Sequence, residues 1–371
     1  MDPDPAAPRL GDLPGLAGPL DLGPFRALRL AGRAVGDPAS AREMVRPYRE
    51  VTARLADWER RGEVSRDTEP ALWIHEWTSQ GITVRGLVGS LDLTRHAPTP
   101  ASAAVLPHER VVLSQVDELA SRMRDLQVNP AAIMLVHRGS PALRAEVQRH
   151  LSRPPDAEHE DRQQQRHRLW RVDSEADVAR LSALVTDLTC LVADGHHRYA
   201  AYLRMQQEAV ADRGLAVLVD HEDTPLFLGA IHRVVGASMN AVADAASKAG
   251  IPPRAIPPDE ALDALRPRHA VLTDGQQALE LAAPPGDLAV TTLHRRLLCR
   301  LGTVPRTTYH HSVDEALSRV APGRSVAALL PAPRLEALLE TVASGRLLPQ
   351  KSTSFQPKPS TGVLMRSLRD G

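Results

Sequence analysis

Apolar positions along the chain alternate between short runs typical of buried strands and the three- and four-residue spacing of amphipathic helices. Two strands, 71–77 and 82–91, are expected to pair as a hairpin through Ser79-Gln80-Gly81. The other predicted strands are 28–30, 133–137, 169–172, 188–193, 215–219, 227–235 and 326–330, and the predicted helices are 41–60, 114–126, 140–151, 177–184, 238–249, 291–301 and 334–344. Helices and strands alternate but hairpins also occur, so we expect a mixed α/β (α+β) fold, with a mixed sheet, flanking helices and a smaller C-terminal α/β part.

Changes in composition divide the chain into five predicted segments. Residues 1–24 are rich in proline, glycine and alanine, which favours a flexible N-terminal arm. An N-terminal α/β region is expected over 25–152, and 153–168 is almost free of apolar residues, which is typical of a solvated polar linker. A core region is predicted over 169–240, followed by a C-terminal α/β region over 241–371.

Residues 188–202 read LTCLVADGHHRYAAY and pass from an apolar run to a helical pattern across five non-apolar positions. The residues before Asp194 are typical of a buried strand, and Gly195 gives the backbone freedom that a tight turn requires. A helix start attracts anions through its free N–H groups and its dipole, and Arg198 adds a planar bidentate donor. The layout therefore predicts an anion site. A simpler interpretation is that Asp194 only caps the helix and the histidines are ordinary polar groups.

Charge and cysteine content narrow the function classes. The formal net charge is zero and the pI is about 7.3, which argues against nucleic acid as the main partner. The two cysteines, Cys190 and Cys299, form no framework of short spacings, which favours a cytoplasmic protein. We expect no secretory signal and no membrane span, since the sequence has neither a basic and apolar leader nor a run of 18 apolar residues.

Lysine usage is unusual, because only three of the 45 lysine and arginine residues are lysines: Lys248, Lys351 and Lys358. The Gly-x-x-x-x-Gly-Lys-Ser/Thr loop is absent, and no lysine precedes Lys248, so the protein-kinase strand lysine is missing as well. Two lysines lie within Pro349–Lys358, which suggests a need for a compact, mobile ammonium there. Chance clustering near a terminus is the alternative.

A second polar cluster, His108-Glu109-Arg110, interrupts an apolar setting. It is interpreted either as part of a site or as a charged surface turn.

Six segments, taken in order, form a recognisable series: Pro24–Arg29, Pro107–Arg110, Leu169–Arg171, Ala193–Tyr199, His232–Val235 and Pro349–Lys358. Over residues 24–364 this series resembles the domain-of-unknown-function 1015 family of bacteria and archaea. The Asp-Gly-His-His-Arg turn is similar to the phosphate-binding box of the ParB and sulfiredoxin superfamily, which includes kinases acting on free serine. The resemblance implies a ParB/sulfiredoxin-like nucleotide-binding element and a link with serine metabolism.

One segment of the family pattern is missing. Members carry Pro-Pro-Tyr-Asp soon after the Pro-Phe-Arg stretch, whereas here Arg29 leads almost directly to the predicted 41–60 helix. The sequence has a single Pro-Tyr pair, in Pro47-Tyr48-Arg49, and no aspartate follows it. Val111 also stands where a threonine is usual. Loss of a carboxylate from this region predicts altered or absent chemistry.

Together the residues and the resemblance imply a nucleotide-dependent phosphotransferase that acts on a small hydroxy or amino acid, with ATP or ADP and Mg²⁺. Phosphoryl transfer needs mainly positioning and charge neutralisation. Asp194 or Glu109 is assigned as general base or Mg²⁺ ligand, and His196 or His197 as the group that orients the acceptor hydroxyl. The predicted nucleotide-binding residues are Gly195, Arg198, Lys351, Ser352, Thr353, His108 and Arg110.

Two alternatives remain open at this stage. One is a non-catalytic protein that binds a nucleotide or small anion on the same scaffold, which the shortened N-terminal region favours. The other is a metal-dependent hydrolase. Its candidate ligands are His108, His196, His197, His232, His310, His311, Glu109 and Asp194.

Overall fold

Helices and strands alternate along the described part of the chain, which in a computed structural model comprises residues 10, 15–36, 51–302 (side chains from 55) and 305–369. The helices are α1 Val51–Arg60, α2 Leu113–Leu126, α3 Pro141–Leu151, α4 Glu175–Val185, α5 His196–Gln207, α6 Met239–Lys248, α7 Ala289–Thr292, α8 Val313–Ser318 and α9 Leu335–Ala343. The strands are β1 Leu22–Gly23, β2 Ala27–Leu30, β3 Val64–Arg66, β4 Leu72–Ser79, β5 Ile82–Asp92, β6 Val105–Leu106, β7 Val128–Asn129, β8 Ile133–His137, β9 Ala157–Glu160, β10 Arg166–Val172, β11 Cys190–Asp194, β12 Arg213–Asp220, β13 Phe227–Gly229, β14 His232–Val235, β15 Arg254–Ile256, β16 His269–Thr273, β17 Ala278–Ala282, β18 Thr307–His310, β19 Val326–Leu329, β20 Ser354–Gln356 and β21 Met365–Ser367. The mixed α/β class is confirmed. No helix in these ranges combines the length and the apolar composition needed to cross a membrane.

Two units divide the described residues. The large unit takes 10–107, 111–226 and 357–369, and the small unit takes 108–110 and 227–356. The predicted boundaries at 152 and 240 are wrong, because strands β4, β5, β10 and β12 pair within one sheet and the chain leaves the large unit after residue 226. Part of the predicted 41–60 helix, residues 41–50, and the Pro47-Tyr48 pair lie outside the described residues.

The main sheet of the large unit runs in the order β6-β11-β8-β12-β5-β4-β10-β9, and β1 pairs with β5. Its pairs are antiparallel except β6 with β11 and β8 with β12. The predicted hairpin is confirmed, because Gln80 and Gly81 form the two-residue turn between β4 and β5 with φ angles of 49° and 80°. A smaller sheet in the same unit has the order β3-β2-β21-β7.

The segment predicted as a polar linker, 153–168, is ordered instead. It contains β9 and the start of β10, which pair antiparallel, with Asp161 buried at the turn between them. Backbone ladder bonds do not require apolar side chains, and an edge strand can keep one face in water. Strand β9 can therefore be polar in composition, and every second residue in it is exposed.

The prediction of a flexible arm fails for residues 15–24. Leu16, Leu20 and Leu22 are all at most 5% exposed, and β1 pairs with β5. The hydroxyl of Tyr199 also accepts a hydrogen bond of 3.0 Å from the Ala17 amide. These leucines stand among prolines and glycines, which favour a flexible backbone. Burying the leucine side chains stabilises the segment by more free energy than ordering that backbone costs.

The small unit is built on a six-stranded sheet of order β15-β17-β16-β19-β14-β18, beside the pair β13-β20. Strand β19 and the residue after it show how the sheet divides two cores: Val326, Ala328 and Leu330 face one apolar cluster, and Ala327 and Leu329 face the other. The first cluster includes α6 and α7, and the second includes α8.

Close approach of α5 to β12 requires a glycine at position 214. A Cβ on Gly214 would lie 2.3 Å from a ring carbon of Tyr202, which is 2% exposed. We expect Gly214→Ala to lower the free energy of unfolding of the large unit by about 1–3 kcal/mol, the usual cost of overpacking. All four tryptophans lie in this unit, so fluorescence during urea unfolding measures it directly.

The control for this prediction is the same substitution in a Tyr202→Leu background, where the ring carbons are gone. Gly214→Ala should cost clearly less there, because the two changes act at one contact. An equal cost in both backgrounds would contradict the steric explanation.

Candidate functional site

The predicted strand, turn and helix around Asp194 are present in the large unit. Strand β11 ends at Asp194, and its register against β8 shifts between Val192 and Asp194, which marks a bulge at this end. Gly195 follows in the left-handed conformation (φ 92°, ψ 31°), and α5 begins at His196. A Cβ at Gly195 would be strained by this φ and would lie 3.0 Å from Arg198 Nε. Glycine is therefore needed to bring Arg198 back over the turn.

Asp194 is paired with two cations. Its Oδ2 accepts a hydrogen bond of 2.6 Å from Arg198 Nη2, and its Oδ1 accepts one from Lys358 Nζ. Arg198 Nη1 also donates to the Ala132 carbonyl at 2.6 Å. Burial alone would raise the pKa of Asp194, but the charges of Arg198 and Lys358 outweigh it and hold the pKa below its usual range. Asp194 is therefore an anion at neutral pH and a weak proton acceptor.

Lys358 is held in place through the backbone of its own segment. Trp77 Nε1 donates to the Pro357 carbonyl at 3.0 Å, and Gln165 Nε2 donates to the Lys358 carbonyl at 3.0 Å. Gln165 Oε1 in turn accepts from the Ser360 amide at 3.0 Å. These contacts fix the main chain on both sides of Lys358, so its ammonium reaches Asp194 from an ordered segment.

A cavity of about 270 Å³ adjoins this ion pair network. Its walls carry three cationic side chains, Arg122, Arg198 and Lys358, and one carboxylate, Asp194, among the described lining residues. Most of the remaining wall is apolar, including Met123, Met134, Val217 and Leu364, and His75 and Ser360 add polar groups. Small-molecule sites typically combine an apolar wall with a few convergent polar groups in this way.

The two histidines of the turn differ in their surroundings. His196 is 9% exposed at the start of α5. His197 Nε2 accepts a hydrogen bond of 3.0 Å from the amide of Val112, the residue that caps α2. That lone pair is engaged in holding the start of α2, so it is not the atom that would orient a substrate hydroxyl. The same role for His196 stays a prediction.

Glu109, in the small unit, is bound by the backbone of the Lys351–Thr353 turn. Its carboxylate accepts hydrogen bonds from the amides of Lys351 (2.9 Å), Ser352 (2.9 Å) and Thr353 (2.7 Å), and from the Thr353 hydroxyl at 2.7 Å. Lys351 adopts a positive φ of 59°, which turns successive amides toward one side. Glu109 therefore stabilises this turn and is not available as the predicted general base or Mg²⁺ ligand, and the amides of Ser352 and Thr353 serve the same contact.

The neighbouring motif residues complete this cluster in the small unit. His108 is fully buried, with Nε2 2.8 Å from the Thr353 hydroxyl, and the Arg110 amide donates to the Leu348 carbonyl at 3.0 Å. Arg233 Nη2 donates to the Lys351 carbonyl at 2.9 Å, and burial lowers the pKa of Arg233 to about 10. His108-Glu109-Arg110, Arg233 and the Lys351–Thr353 turn thus meet in one cluster of the small unit. The predicted nucleotide-binding role of the motif residues in this cluster stays a prediction.

The lysine that contacts Asp194 is Lys358, not Lys351. Lys358 belongs to the large unit with Asp194, whereas Lys351 belongs to the small unit and its side chain is exposed. Both lysines lie in Pro349–Lys358, the segment that the lysine usage indicated. The spacing alone did not indicate which of the two reaches the turn.

The predicted histidines do not form a metal centre in the part of the chain that is described. The group there with metal-ligating spacing is Glu146, His150 and Asp177, on α3 and α4, and it includes none of the predicted ligands. Arg149 and Arg180 already pair with its two carboxylates. Among the described residues, the ligands proposed for the hydrolase alternative therefore do not come together as a metal-binding group.

Sequence reasoning missed a chain of buried polar groups behind the cavity. His75 Nε2 lies 3.0 Å from His167 Nδ1, and His167 Nε2 lies 3.2 Å from Asp161 Oδ2. His167 fell in the supposed linker, and its alternation with Leu169 was the available signal. Arg122 was missed because an arginine on an amphipathic helix is ordinarily a solvated surface group.

We expect Glu109→Ala to loosen the Lys351–Thr353 turn. The substitution removes charge-assisted hydrogen bonds to three amides, each worth about 1.5–3 kcal/mol. Hydrogen exchange at the Lys351, Ser352 and Thr353 amides should accelerate at least tenfold, as measured by NMR. Glu109→Gln keeps one acceptor oxygen and should show a smaller acceleration, whereas unchanged protection in both variants would contradict the assignment.

We expect Lys358→Ala to raise the pKa of Asp194, because removing one cation leaves this half-buried carboxylate with Arg198 alone. Carbon-13 NMR of aspartate-labelled protein, titrated through the acid range, measures this shift. Lys248→Ala, which removes an exposed lysine paired with Asp244, is the matched control and should leave the pKa of Asp194 unchanged. An unchanged pKa in Lys358→Ala would show that the ion pair is not formed in solution.

Comparison with known proteins gives the following likenesses. A conserved hypothetical protein from Pyrococcus furiosus matches with a TM-score of 0.43 and 14% identity, covering 72% of this chain and 93% of that one. A free serine kinase in complex with AMP matches with a TM-score of 0.42 and 14% identity, covering 70% and 89%. C-terminally truncated SbnI from Staphylococcus aureus matches with a TM-score of 0.45 and 9% identity, covering 72% and 85%. No curated protein matches significantly.

The family model described as "Protein of unknown function (DUF1015)" matches residues 22–288, well over half of the sequence, and the chain therefore belongs to that family.

Proposed function

We propose that the large unit binds a nucleotide through its phosphate groups in the cavity beside Asp194, and that it transfers a phosphoryl group to a small hydroxy or amino acid. The observation that carries the proposal is the charge of the cavity wall, where Arg122, Arg198 and Lys358 face a single carboxylate, Asp194, among the described lining residues. Arg122 also pairs with Glu118 on the same helix, so Arg198 and Lys358 exceed Asp194 by one positive charge. A polyanionic ligand would balance this excess of positive charge.

The position of the cations relative to α5 supports a phosphate in particular. The first turn of α5 has amides without intrahelical partners, and the helix dipole favours negative charge there. Arg198, three residues into the same helix, provides a planar donor that can bond two phosphate oxygens. Lys358 provides a compact charge from the opposite segment, so a phosphate would be bonded from two sides.

Asp194 acts in this proposal as a positioning residue. Its two oxygens hold Arg198 and Lys358 at fixed places, and its lowered pKa disfavours a role as general base. The same contacts fit a protein-bound Mg²⁺ poorly, because each oxygen is already paired with a cation and the described cavity wall offers no second carboxylate. Any Mg²⁺ would be held by the nucleotide phosphates.

A second candidate is a protein that binds the nucleotide without transferring phosphate. It is favoured by the missing Pro-Pro-Tyr-Asp segment, which removes a carboxylate from the N-terminal region. Phosphorus NMR with ATP or ADP and a set of hydroxy acids including serine separates the two. A phosphorylated product supports the enzyme, and ligand-dependent thermal stabilisation without product supports the binding protein.

We expect Arg198→Ala to weaken ADP and ATP binding about 10- to 100-fold, because charge-assisted hydrogen bonds of roughly 1.5–3 kcal/mol are lost. Isothermal titration measures the affinity, and tryptophan fluorescence confirms that the large unit remains folded. Lys248→Ala should bind normally. Unchanged affinity in Arg198→Ala would overturn the proposed phosphate site.

A further inference from the structure

Three buried polar side chains connect the floor of the cavity to the turn between β9 and β10. His75 on β4 and His167 on β10 are diagonal neighbours on one face of the main sheet, since His167 is opposite Trp77 and His75 is opposite Leu169. His75 is 3% exposed and lines the cavity, and His167 is fully buried. A row of histidines inside a sheet is costly unless each is hydrogen-bonded, so their partners define what the row can do.

The charge of Asp161 determines where the protons of the two histidines lie. Its Oδ1 accepts hydrogen bonds from the amides of Gln163 (2.8 Å) and Gln165 (2.9 Å), and its Oδ2 accepts one from the Ser360 hydroxyl at 2.5 Å. Burial alone would raise the pKa of Asp161, but these donors and His167 outweigh it and lower the pKa. Asp161 is therefore ionised and accepts from every neighbour, His167 included.

The direction of each hydrogen bond follows from that charge. Because Asp161 can only accept, His167 donates through Nε2. Burial lowers the pKa of His167 to about 4, so the ring is neutral and its Nδ1 is an acceptor. His75 must then donate through Nε2 at 3.0 Å, which leaves its Nδ1 with an unprotonated lone pair. Among the described residues that Nδ1 has no hydrogen-bond partner.

We propose that His75 is the proton acceptor for the hydroxyl group of the substrate in this cavity, with His167 and Asp161 as positioning residues that hold it in the Nε2–H tautomer. The inference rests on the proposed phosphotransferase function. It also provides a proton acceptor, which the other candidate groups do not. Asp194 is paired with two cations, Glu109 is bound by three amides and His197 Nε2 accepts from Val112.

Atoms and electrons balance in the proposed step. The O–H bond of the acceptor breaks and its proton passes to His75 Nδ1, while the oxygen forms a bond to the terminal phosphorus of a nucleoside polyphosphate. The bond from that phosphorus to the bridging oxygen breaks, and the nucleotide leaves with the bonding pair. His75 becomes an imidazolium whose Nε2–H still points to His167, and Asp161 stabilises the charge without taking the proton.

Other charged groups around His75 set the pH at which it works. His167 and His159 lie on the sheet side, and Asp194, Arg198, Lys358 and Arg122 line the cavity. Burial first, and then His167 and His159, lower the pKa of His75. The imidazole is therefore neutral and able to accept a proton throughout the neutral range, and kcat/KM should fall only at a pH well below the ordinary imidazole pKa of about 6.5.

The kinetic test compares the unmodified protein with two variants at equal nucleotide saturation. His75→Gln keeps a donor toward His167 but removes the proton acceptor, so kcat should fall about 10²- to 10⁴-fold with nucleotide affinity unchanged. It should also lose the acid limb of the pH profile. His159→Gln, which removes a histidine packed on His167 but outside the hydrogen-bonded row, should keep kcat within about threefold and retain that limb. Full activity in His75→Gln would overturn the inference.

Histidine tautomers measured by nitrogen-15 NMR give a test that does not depend on turnover. In the unmodified protein, His75 should show an unprotonated Nδ1 and a protonated Nε2, its signals being assigned by their loss in His75→Gln. A protonated Nδ1 on a neutral His75 would overturn the inference whatever the activity.

Asp161→Asn tests the two positioning residues. The amides of Gln163 and Gln165 hold the side-chain oxygen at the Oδ1 place, so the new NH₂ group faces His167 and donates to it. His167 then carries its proton on Nδ1 and donates to His75, which forces His75 into the Nδ1–H tautomer. We expect that tautomer change, with at least a tenfold loss of kcat and rescue by Asp161→Glu; an unchanged tautomer would contradict the assigned roles.

The outcomes separate this inference from the proposed function. If the unmodified protein binds no nucleotide, or binds it and phosphorylates none of the hydroxy acids, the phosphotransferase function is wrong and the role of His75 falls with it. If the protein is active and Arg198→Ala loses binding while His75→Gln behaves like the unmodified protein, the proposed function stands and the inference alone is overturned.

Discussion

The pairing of Asp194 with Arg198 and Lys358 is the interaction on which the site depends. Asp194 is half-buried, with 23% of its side chain exposed, so it has lost part of its hydration and the two cations compensate for that loss. One of these cations lies 164 residues away in sequence. The return of residues 357–369 to the large unit brings Lys358 to Asp194 and places the cations beside the cavity.

Three carboxylates illustrate how surroundings decide the role of one chemical group. Glu109 is bound by backbone amides and stabilises a turn, whereas Asp194 is bound by two cations and positions them. Asp161 accepts from backbone amides, a hydroxyl and an imidazole, so it connects the Ser360 segment with the histidine row. Both oxygens of each of these carboxylates are already engaged in hydrogen bonds or ion pairs. Proton transfer in the cavity is for that reason assigned to an imidazole.

Local patterns predicted local structure well. The hairpin turn at Gln80-Gly81 and the strand, glycine and helix around Gly195 were predictable, because each depends on residues within a few positions of one another. The prediction of a polar linker over 153–168 was wrong, because strand β9 is held by backbone pairing with β10 rather than by apolar side chains. The prediction of a flexible arm was wrong for residues 15–24. The scattered leucines there are buried against a sheet whose strands come later in the sequence.

The sequence by itself determined the mixed α/β class, the turn at Asp194–Arg198 and the importance of the segment that holds Lys351 and Lys358, because composition, period and residue type act locally. Only the tertiary structure decided which lysine pairs with Asp194, that Glu109 stabilises a turn, and that His75, His167 and Asp161 form one row. Those outcomes depend on strand order and on contacts between residues far apart in the chain. Charge and hydrogen bonding act over a few ångströms, and the fold alone brings such groups that close.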